Sequence, residues 1–288
     1  MKTKFLHIAP LLLFIFTIFF GCQQNNITPT SGNLTAGVDE GIYHVVYKEK
    51  IAFDSLYKNS KIQLKKLNPY EGIAGVLNGN YKVFISTMGL NSKQQDFIDS
   101  NKIDFRIFKF CYDAVAVIAP KNSSLQNIRI DELQNLLLGK ANNFRVVMPQ
   151  TNTGTYQYVL ENILKGQVPK NADIVPTDSA VFEKIKSGSD LIGLLSFNTV
   201  QDSSKIKFLK VGEFDQSKLD DSYYEPHPGL VLKDYYPFKQ TVYVFLSEKG
   251  ITVASGFTTF LTSYEGQKIA LSQNLAPAAV PVKINENQ

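Results

Sequence analysis

Histidine and cysteine are scarce in this chain of 288 residues, which holds three histidines and two cysteines. His44 and His227 are far apart in sequence, and His7 lies in an N-terminal segment that we expect to be removed. A metal site built from histidine and cysteine therefore lacks its parts. Two cysteines cannot supply a disulfide framework either, so stability must come from a buried core.

The motifs of several common catalytic sites are missing as well. The sequence contains no Gly-x-Ser-x-Gly elbow and no Gly-x-x-x-x-Gly-Lys phosphate loop. The stretch Ser55–Lys58 fits a Ser-x-x-Lys nucleophile pattern, but chance alone produces such matches and the accompanying motifs are absent. A Ser-Lys hydrolase thus rests on one weak match. The carboxylates are scattered, and the sequence favours binding over catalysis, with no cofactor and no metal.

The charge balance argues against a nucleic-acid-binding protein. The chain has 30 lysines and arginines against 26 aspartates and glutamates, and its basic residues form no stripe. After Phe20 no apolar run approaches the roughly 20 residues that cross a bilayer.

The N-terminus predicts export. A basic start, Met1–Lys4, precedes the apolar run Ile8–Phe20, which is typical of a secretory signal and short for a membrane span. The run ends at Gly21–Cys22, which resembles the lipobox of bacterial lipoproteins, although Phe19 stands where that family usually has leucine.

The lipobox resemblance implies a signal peptide over 1–21, an acylated Cys22 and a flexible tether over 22–33. The mature domain would be periplasmic or extracellular and held at a membrane by lipid alone. An ordinary signal peptide with a chance cysteine is the alternative.

The body of the chain alternates strand-like and helix-like stretches, which indicates an α/β fold with largely parallel sheets. One unusually long strand-like stretch, Asp104–Pro120, is expected to cross between domains. Predicted strands include 33–38, 61–67, 81–87, 144–149, 191–197 and 240–248, and predicted helices include 71–79, 92–100, 129–140, 155–165, 179–188 and 252–272.

A hydroxyl-rich loop, Thr151–Thr155, joins a predicted strand to a predicted helix. Helix N-termini carry unpaired N–H groups and partial positive charge, so this loop could hold an oxyanion. Gly154 would allow close approach of the backbone, and Thr153 and Thr155 could donate hydroxyl hydrogens. The alternative is that Thr153 or Thr155 only caps the helix.

Three segments together resemble the PstS-like phosphate-binding proteins of ABC importers, within the type II periplasmic binding proteins. They are Thr153–Thr155, Tyr235–Phe245 and Gly256–Pro277. The resemblance implies two α/β lobes with mixed, mostly parallel sheets, a ligand cleft between them and an ABC permease as partner. The first lobe would comprise 34–111 and 227–288, and the second 112–226.

The resemblance also implies ligand-binding positions, all at the ends of strands or the starts of helices. Two departures concern charge: Pro149 and Thr151 stand where the family loop has arginine and aspartate, and Thr87 replaces an aspartate that accepts a proton from phosphate. Asp39, Glu40 and Glu71 add negative charge near the cleft. Phosphate or a related oxyanion is the expected ligand, and a binding-fold protein that has lost phosphate is the alternative. The implied positions are Gly41, Ile42, Tyr70 (beside Pro69), Ser86, Thr87, Thr153, Gly154 and Thr155.

Overall fold

The computed structural model describes residues 28–141, 143–213 and 222–279. The predicted signal peptide, Cys22 and most of the predicted tether lie outside these residues. Within the described ranges, no helix is long and apolar enough to cross a membrane.

The first lobe is built on three strands at one end of a ten-stranded sheet. Strand β1 is parallel to both β2 and β3, and helices pack over them. Alternating apolar residues of β1, such as Leu34, Ala36 and Val38, are buried in the core of this lobe. The elements are β1 (Ser31–Asp39), α1 (Tyr43–Leu56), β2 (Asn59–Leu67), α2 (Pro69–Leu77), β3 (Val83–Ser86) and α3 (Ser92–Ser100).

The second lobe lies at the other end of the same sheet. Strand β6 is parallel to β7 and β8. The core of this lobe is separate from that of the first lobe and includes Val146, Leu194 and Ile118. A small three-stranded sheet of β11, β10 and β5 adjoins this lobe. The elements are β5 (Asn127–Arg129), α4 (Ile130–Leu137), β6 (Arg145–Pro149), α5 (Gly154–Tyr158), β7 (Ala172–Val175), α6 (Asp178–Lys186), β8 (Leu191–Ser196), β9 (Ile206–Phe208), β10 (Lys210–Glu213) and β11 (Ser222–Tyr224).

Strand β4 (Arg106–Pro120) joins the lobes. Its first part pairs with β12 (Lys239–Leu246) up to Ala114, Val115–Ile118 pairs with β8, and Ile118–Pro120 pairs with β9. These pairings are antiparallel, so the sheet is mixed and its central pairs differ from the largely parallel arrangement predicted. The reason is that β4 and β12 run between the lobes in opposite directions.

The C-terminal part returns to the first lobe. The short helix α7 (Pro228–Leu232) precedes β12, and helices α8 (Val253–Leu261) and α9 (Tyr264–Ser272) follow it. The last strand, β13 (Ala276–Pro277), pairs with β4. The two-lobed α/β architecture predicted from sequence is confirmed, while the residue limits assigned to each lobe stay a prediction.

Two predicted helices differ in the structure. The helix expected over 155–165 is an α-helical turn that widens into a π-helix, Val159–Ile163, in which the Leu164 N–H donates to the Val159 carbonyl at 2.8 Å. The helix expected over 252–272 is split, because Ser263 starts a new helix by accepting the Gly266 N–H at 3.4 Å.

One buried side chain conflicts with its surroundings. Glu49 on α1 is fully buried, and neither of its carboxyl oxygens has a hydrogen-bond partner in the described part of the chain. Burial raises the pKa of Glu49 to about 9. The folded protein therefore carries this carboxyl in its neutral form at pH 7.

We predict that Glu49→Gln removes one component of the pH dependence of stability. Because the folded pKa exceeds the ordinary value of 4.5, the stabilising contribution is complete below pH 4.5 and is lost as pH rises towards 9. The wild type should lose up to about 1.4 kcal/mol per pH unit there relative to the variant. Urea unfolding at pH 5, 7 and 9 measures the difference. The exposed Glu183→Gln serves as control, and parallel curves for wild type and Glu49→Gln would contradict the prediction.

Candidate functional site

The candidate site lies where the first strand ends and the lobes meet. Asp39, the last residue of β1, is buried and accepts hydrogen bonds from the backbone N–H groups of Gly41 at 3.2 Å and Thr87 at 3.1 Å. The hydroxyl of Thr87 also donates to this carboxylate. Asp39 thus caps the short turn Glu40–Ile42 and ties it to the end of β3.

The hydroxyl-rich loop faces this region from the second lobe. Thr153 caps α5, because its hydroxyl oxygen accepts the Tyr156 N–H at 3.2 Å. Thr155 has another partner: its hydroxyl donates to Asp178 at 2.7 Å. Asp178 also accepts the Ser196 N–H at 2.8 Å. The loop therefore both caps a helix and directs a hydroxyl at a buried carboxylate.

The two lobes are in direct contact at Gly154. A Cβ on this residue would clash with Oγ1 of Thr87 and would lie 3.3 Å from Nε2 of Gln240. Nearby, Nδ2 of Asn198 donates to the Gly41 carbonyl at 3.1 Å and so bridges the lobes. Only glycine permits this approach, so the cleft is closed at this point.

A third buried carboxylate supports the bridge. Asp113, on β4, accepts the Ala114 N–H at 2.8 Å and the Asn198 side-chain amide at 2.8 Å, and the Ser196 hydroxyl donates to it as well. Asp113 therefore fixes the Asn198 side chain that contacts the first lobe.

Three acids share this region without a cation. Burial raises the pKa of Asp39 and of Asp113. Burial, and then the charges of Asp39 and Asp113, raise the pKa of Asp178 to about 6. No lysine or arginine in the described ranges forms an ion pair with any of them. The described residues also contain no group of three histidine, cysteine or acidic side chains suited to a metal ion.

The structure brings together only part of the predicted site. Gly41, Thr87, Gly154 and Thr155 meet at the interlobe contact, with Thr153 one residue away as the helix cap.

The other three predicted positions do not direct a side chain at this contact. Ile42 is packed in the first core. Ser86 accepts the Met88 N–H at 3.0 Å. Tyr70 is exposed at the start of α2, where Asn68 caps the helix.

Sequence reasoning missed most of the polar residues at the contact. The sequence indicates Asp39 as a charge near the cleft, but it does not show that Asp39 accepts hydrogen bonds from the N–H groups of Gly41 and Thr87. Asp113 stands in the apolar stretch of β4, and a lone acid within a buried strand is a signal that could have identified it. No local pattern singles out the others, which are Asp178, Ser196, Asn198 and Gln240.

A polar pocket of about 300 Å³ opens beside the contact. Thr87, Gly154, Tyr158 and Lys239 are among the residues that line it. Gln240 also lines it; this side chain is buried, donates to the Thr87 carbonyl at 3.1 Å and leaves its Oε1 without a partner among the described residues. Solute could reach the interlobe contact through this pocket.

Comparison with known proteins supports the fold. Residues 24–265 match a family model described as a PBP superfamily domain. A solved candidate phosphate ABC transporter substrate-binding protein from Clostridium perfringens, with bound phosphate, is 19% identical with a TM-score of 0.74, over 86% of this chain and 100% of that one.

Two further solved structures are similar. An ABC-type phosphate transport receptor from Vibrio cholerae is 14% identical (TM-score 0.66; 84% of this chain, 99% of that one). The CcmR regulatory domain from Synechocystis PCC6803, in complex with 2-PG, is 19% identical (TM-score 0.58; 80% and 96%). No curated protein matches the sequence. At these identities the likeness establishes the fold.

We predict that Gly154→Ala opens the lobes. The added methyl group clashes with Thr87 in the closed arrangement, and overpacking of this kind costs about 1–3 kcal/mol. Small-angle scattering should show a larger radius of gyration, and amide exchange should quicken at Thr155 and Ser196. Gly89→Ala is the control, because its Cβ would meet Tyr243 at 3.5 Å, an ordinary contact. Equal radii for the two variants would refute the prediction.

We predict that Asp178→Asn stabilises the protein above pH 6. The folded pKa of about 6 exceeds the ordinary 3.8, so the stability due to this acid is complete below pH 3.8 and is lost as pH rises through 6. Asparagine can accept both hydrogen bonds through Oδ1, and the gain at pH 8 should reach at most about 3 kcal/mol.

Chemical denaturation between pH 4 and 8 measures this gain. Asp131→Asn is the contrasting control. In the wild type, a hydrogen bond from Arg129 lowers the pKa of Asp131, so this change should not stabilise the protein as pH rises. A gain independent of pH for Asp178→Asn would count against the assignment.

Proposed function

Since the chain belongs to the PBP superfamily, we propose that it is a binding protein of the cell envelope, anchored by lipid at Cys22, whose interlobe site no longer holds phosphate. Membership of this superfamily also confirms the prediction of a binding protein rather than an enzyme. In this proposal the protein acts as a sensor or partner-binding module for a neutral or cationic ligand.

The proposal rests on hydrogen-bond donors that the chain's own carboxylates already occupy. The donors of the first lobe, on Gly41 and Thr87, are held by Asp39. Those of the second lobe, the Thr155 hydroxyl and the Ser196 N–H, are held by Asp178. The chain's own carboxylates therefore take the place that an external oxyanion would need.

Electrostatics point the same way. A phosphate dianion would enter a buried contact that already contains three acids, and none of the three forms an ion pair with an arginine or lysine of the described residues. Buried like charges raise the free energy of the ionised state, and a buried oxyanion normally needs charge-assisted donors. A ligand without negative charge avoids both costs.

Import of phosphate or a related oxyanion through an ABC permease is the second candidate. The helix start at Gly154 and the phosphate-bound neighbour from Clostridium perfringens favour it. In this case the lobes would open, Thr87 and Thr155 would turn from the carboxylates to the ligand, and protonation of Asp178 would strengthen binding at low pH.

Titration calorimetry of the mature chain with phosphate separates the candidates. We expect no heat at millimolar phosphate and pH 7.5, because Asp39 and Asp178 hold the donors and Asp178, with a pKa of about 6, is charged at this pH. The double change Asp39→Asn with Asp178→Asn should then create measurable phosphate binding, since it removes the negative charge of both side chains and gives each an NH₂ group that can donate to phosphate.

The opposite result would support the second candidate. A micromolar phosphate dissociation constant in the wild type, weakened about tenfold or more by Thr155→Val through loss of one hydroxyl donor, would establish the oxyanion importer instead. Thr259→Val, an exposed threonine on α8, is the matched control. It should leave phosphate binding unchanged in either case.

A further inference from the structure

A second concave surface lies at the opposite end of β1 from the candidate site. The groove has a volume of about 700 Å³ and is bounded by the C-terminal end of α1 and the first turns of α8. Pro29, just before β1, lines it, whereas Asp39 at the other end of this nine-residue strand belongs to the candidate site. At about 3.3 Å per residue, the two surfaces are some 30 Å apart.

The groove is mostly apolar, although Arg106 and Glu265 also line it. Phe53 and Phe260 form an edge-to-face pair with ring centroids 5.5 Å apart and line its wall. On the rim, Ile251 is 73% exposed and Leu56 is 60% exposed, and Tyr264 stands beside an adjoining pocket that shares Leu56. Clustered exposed apolar side chains of this kind mark an interaction surface.

The chain enters the fold at this rim. A Cβ on Gly256 would clash with the Pro29 carbonyl, so α8 holds Pro29 in close contact. Cys22 is seven residues before Pro29. Even fully extended, that segment spans at most about 25 Å, so a lipid on Cys22 keeps the groove near the bilayer surface.

We propose that this groove, with its rim of Leu56, Ile251 and Tyr264, is the surface on which the protein rests on the lipid bilayer. The rim side chains enter the interface between headgroups and acyl chains. Arg106 in the groove and Lys268 beside Tyr264 face the headgroups of anionic lipids. The proposal rests on the lipid anchor at Cys22 given above. It leaves the candidate site facing away from the membrane, open to solute or a partner.

The absence of tryptophan from the chain provides a clean reporter. Ile251→Trp, in the lipidated protein, is mixed with vesicles of phosphatidylcholine and phosphatidylglycerol. We expect its emission to shift to the blue and to be quenched by brominated lipid. Val168→Trp, at a site 66% exposed in the second lobe, is the matched control and should show neither change. Leu56→Ser in the Ile251→Trp background should reduce the quenching about twofold or more by removing rim apolar surface.

Three outcomes overturn the proposal: equal emission of the two reporters, a blue shift of Ile251→Trp that needs no vesicles and grows with protein concentration, or no effect of Leu56→Ser. The second outcome would assign the groove to a second copy of the chain. Mass spectrometry of the native protein tests the anchor separately. If Cys22 carries no lipid, the proposed anchoring is wrong. Flotation of the unlipidated chain with the same vesicles then tests the groove separately: flotation supports membrane binding by the groove, and its absence contradicts it.

Discussion

The closed contact between Gly154 and Thr87 depends on negative charge held inside the protein. Asp39 fixes Thr87 from one side, and Asp178 fixes Thr155 from the other. Each carboxylate satisfies donors that would otherwise be buried without partners, which is the condition for closing two polar surfaces on each other. The cost is buried charge: desolvation first, and then the charges of Asp39 and Asp113, raise the pKa of Asp178. Closing the lobes therefore also buries the carboxylates that hold the contact together.

In the proposed function, the chain's own carboxylates occupy donors that an external oxyanion would otherwise use. The helix start at Gly154 and the Thr155 hydroxyl are present, and Asp178 accepts the hydroxyl hydrogen. A side chain that is already in place has no translational freedom to lose, whereas an external ligand does. The fold is shared with a solved protein that holds phosphate, but a shared fold does not fix the chemistry of the site.

The first lobe carries two surfaces at opposite ends of one strand. The polar contact lies after Asp39, and the apolar groove lies around Pro29. In the proposed arrangement, an anchor near Pro29 would separate membrane attachment from ligand recognition by the length of β1. The buried Glu49, on the helix between these ends, adds a cost of stability that neither surface requires, and we find no structural reason for it.

Local patterns in the sequence accounted for much of the fold. Residues a few positions apart set strand and helix patterns, so β1, α3 and the long β4 were predicted within a few residues. The π-helix at Val159 and the new helix start at Ser263 were not predicted, because a continuous helix fits the same apolar spacing.

By itself, the sequence determined the α/β class and limited the helix cap to Thr153 or Thr155, and the structure shows that Thr153 is the cap. The export signal with its candidate lipid site stays a prediction. Only the tertiary structure decided what the site contains. Asp39, Asp113 and Asp178 are separated by 74 and 65 positions along the chain, and their meeting depends on how two lobes close. Burial gives them their raised pKa values, and burial is a property of the folded whole that a run of residues does not display.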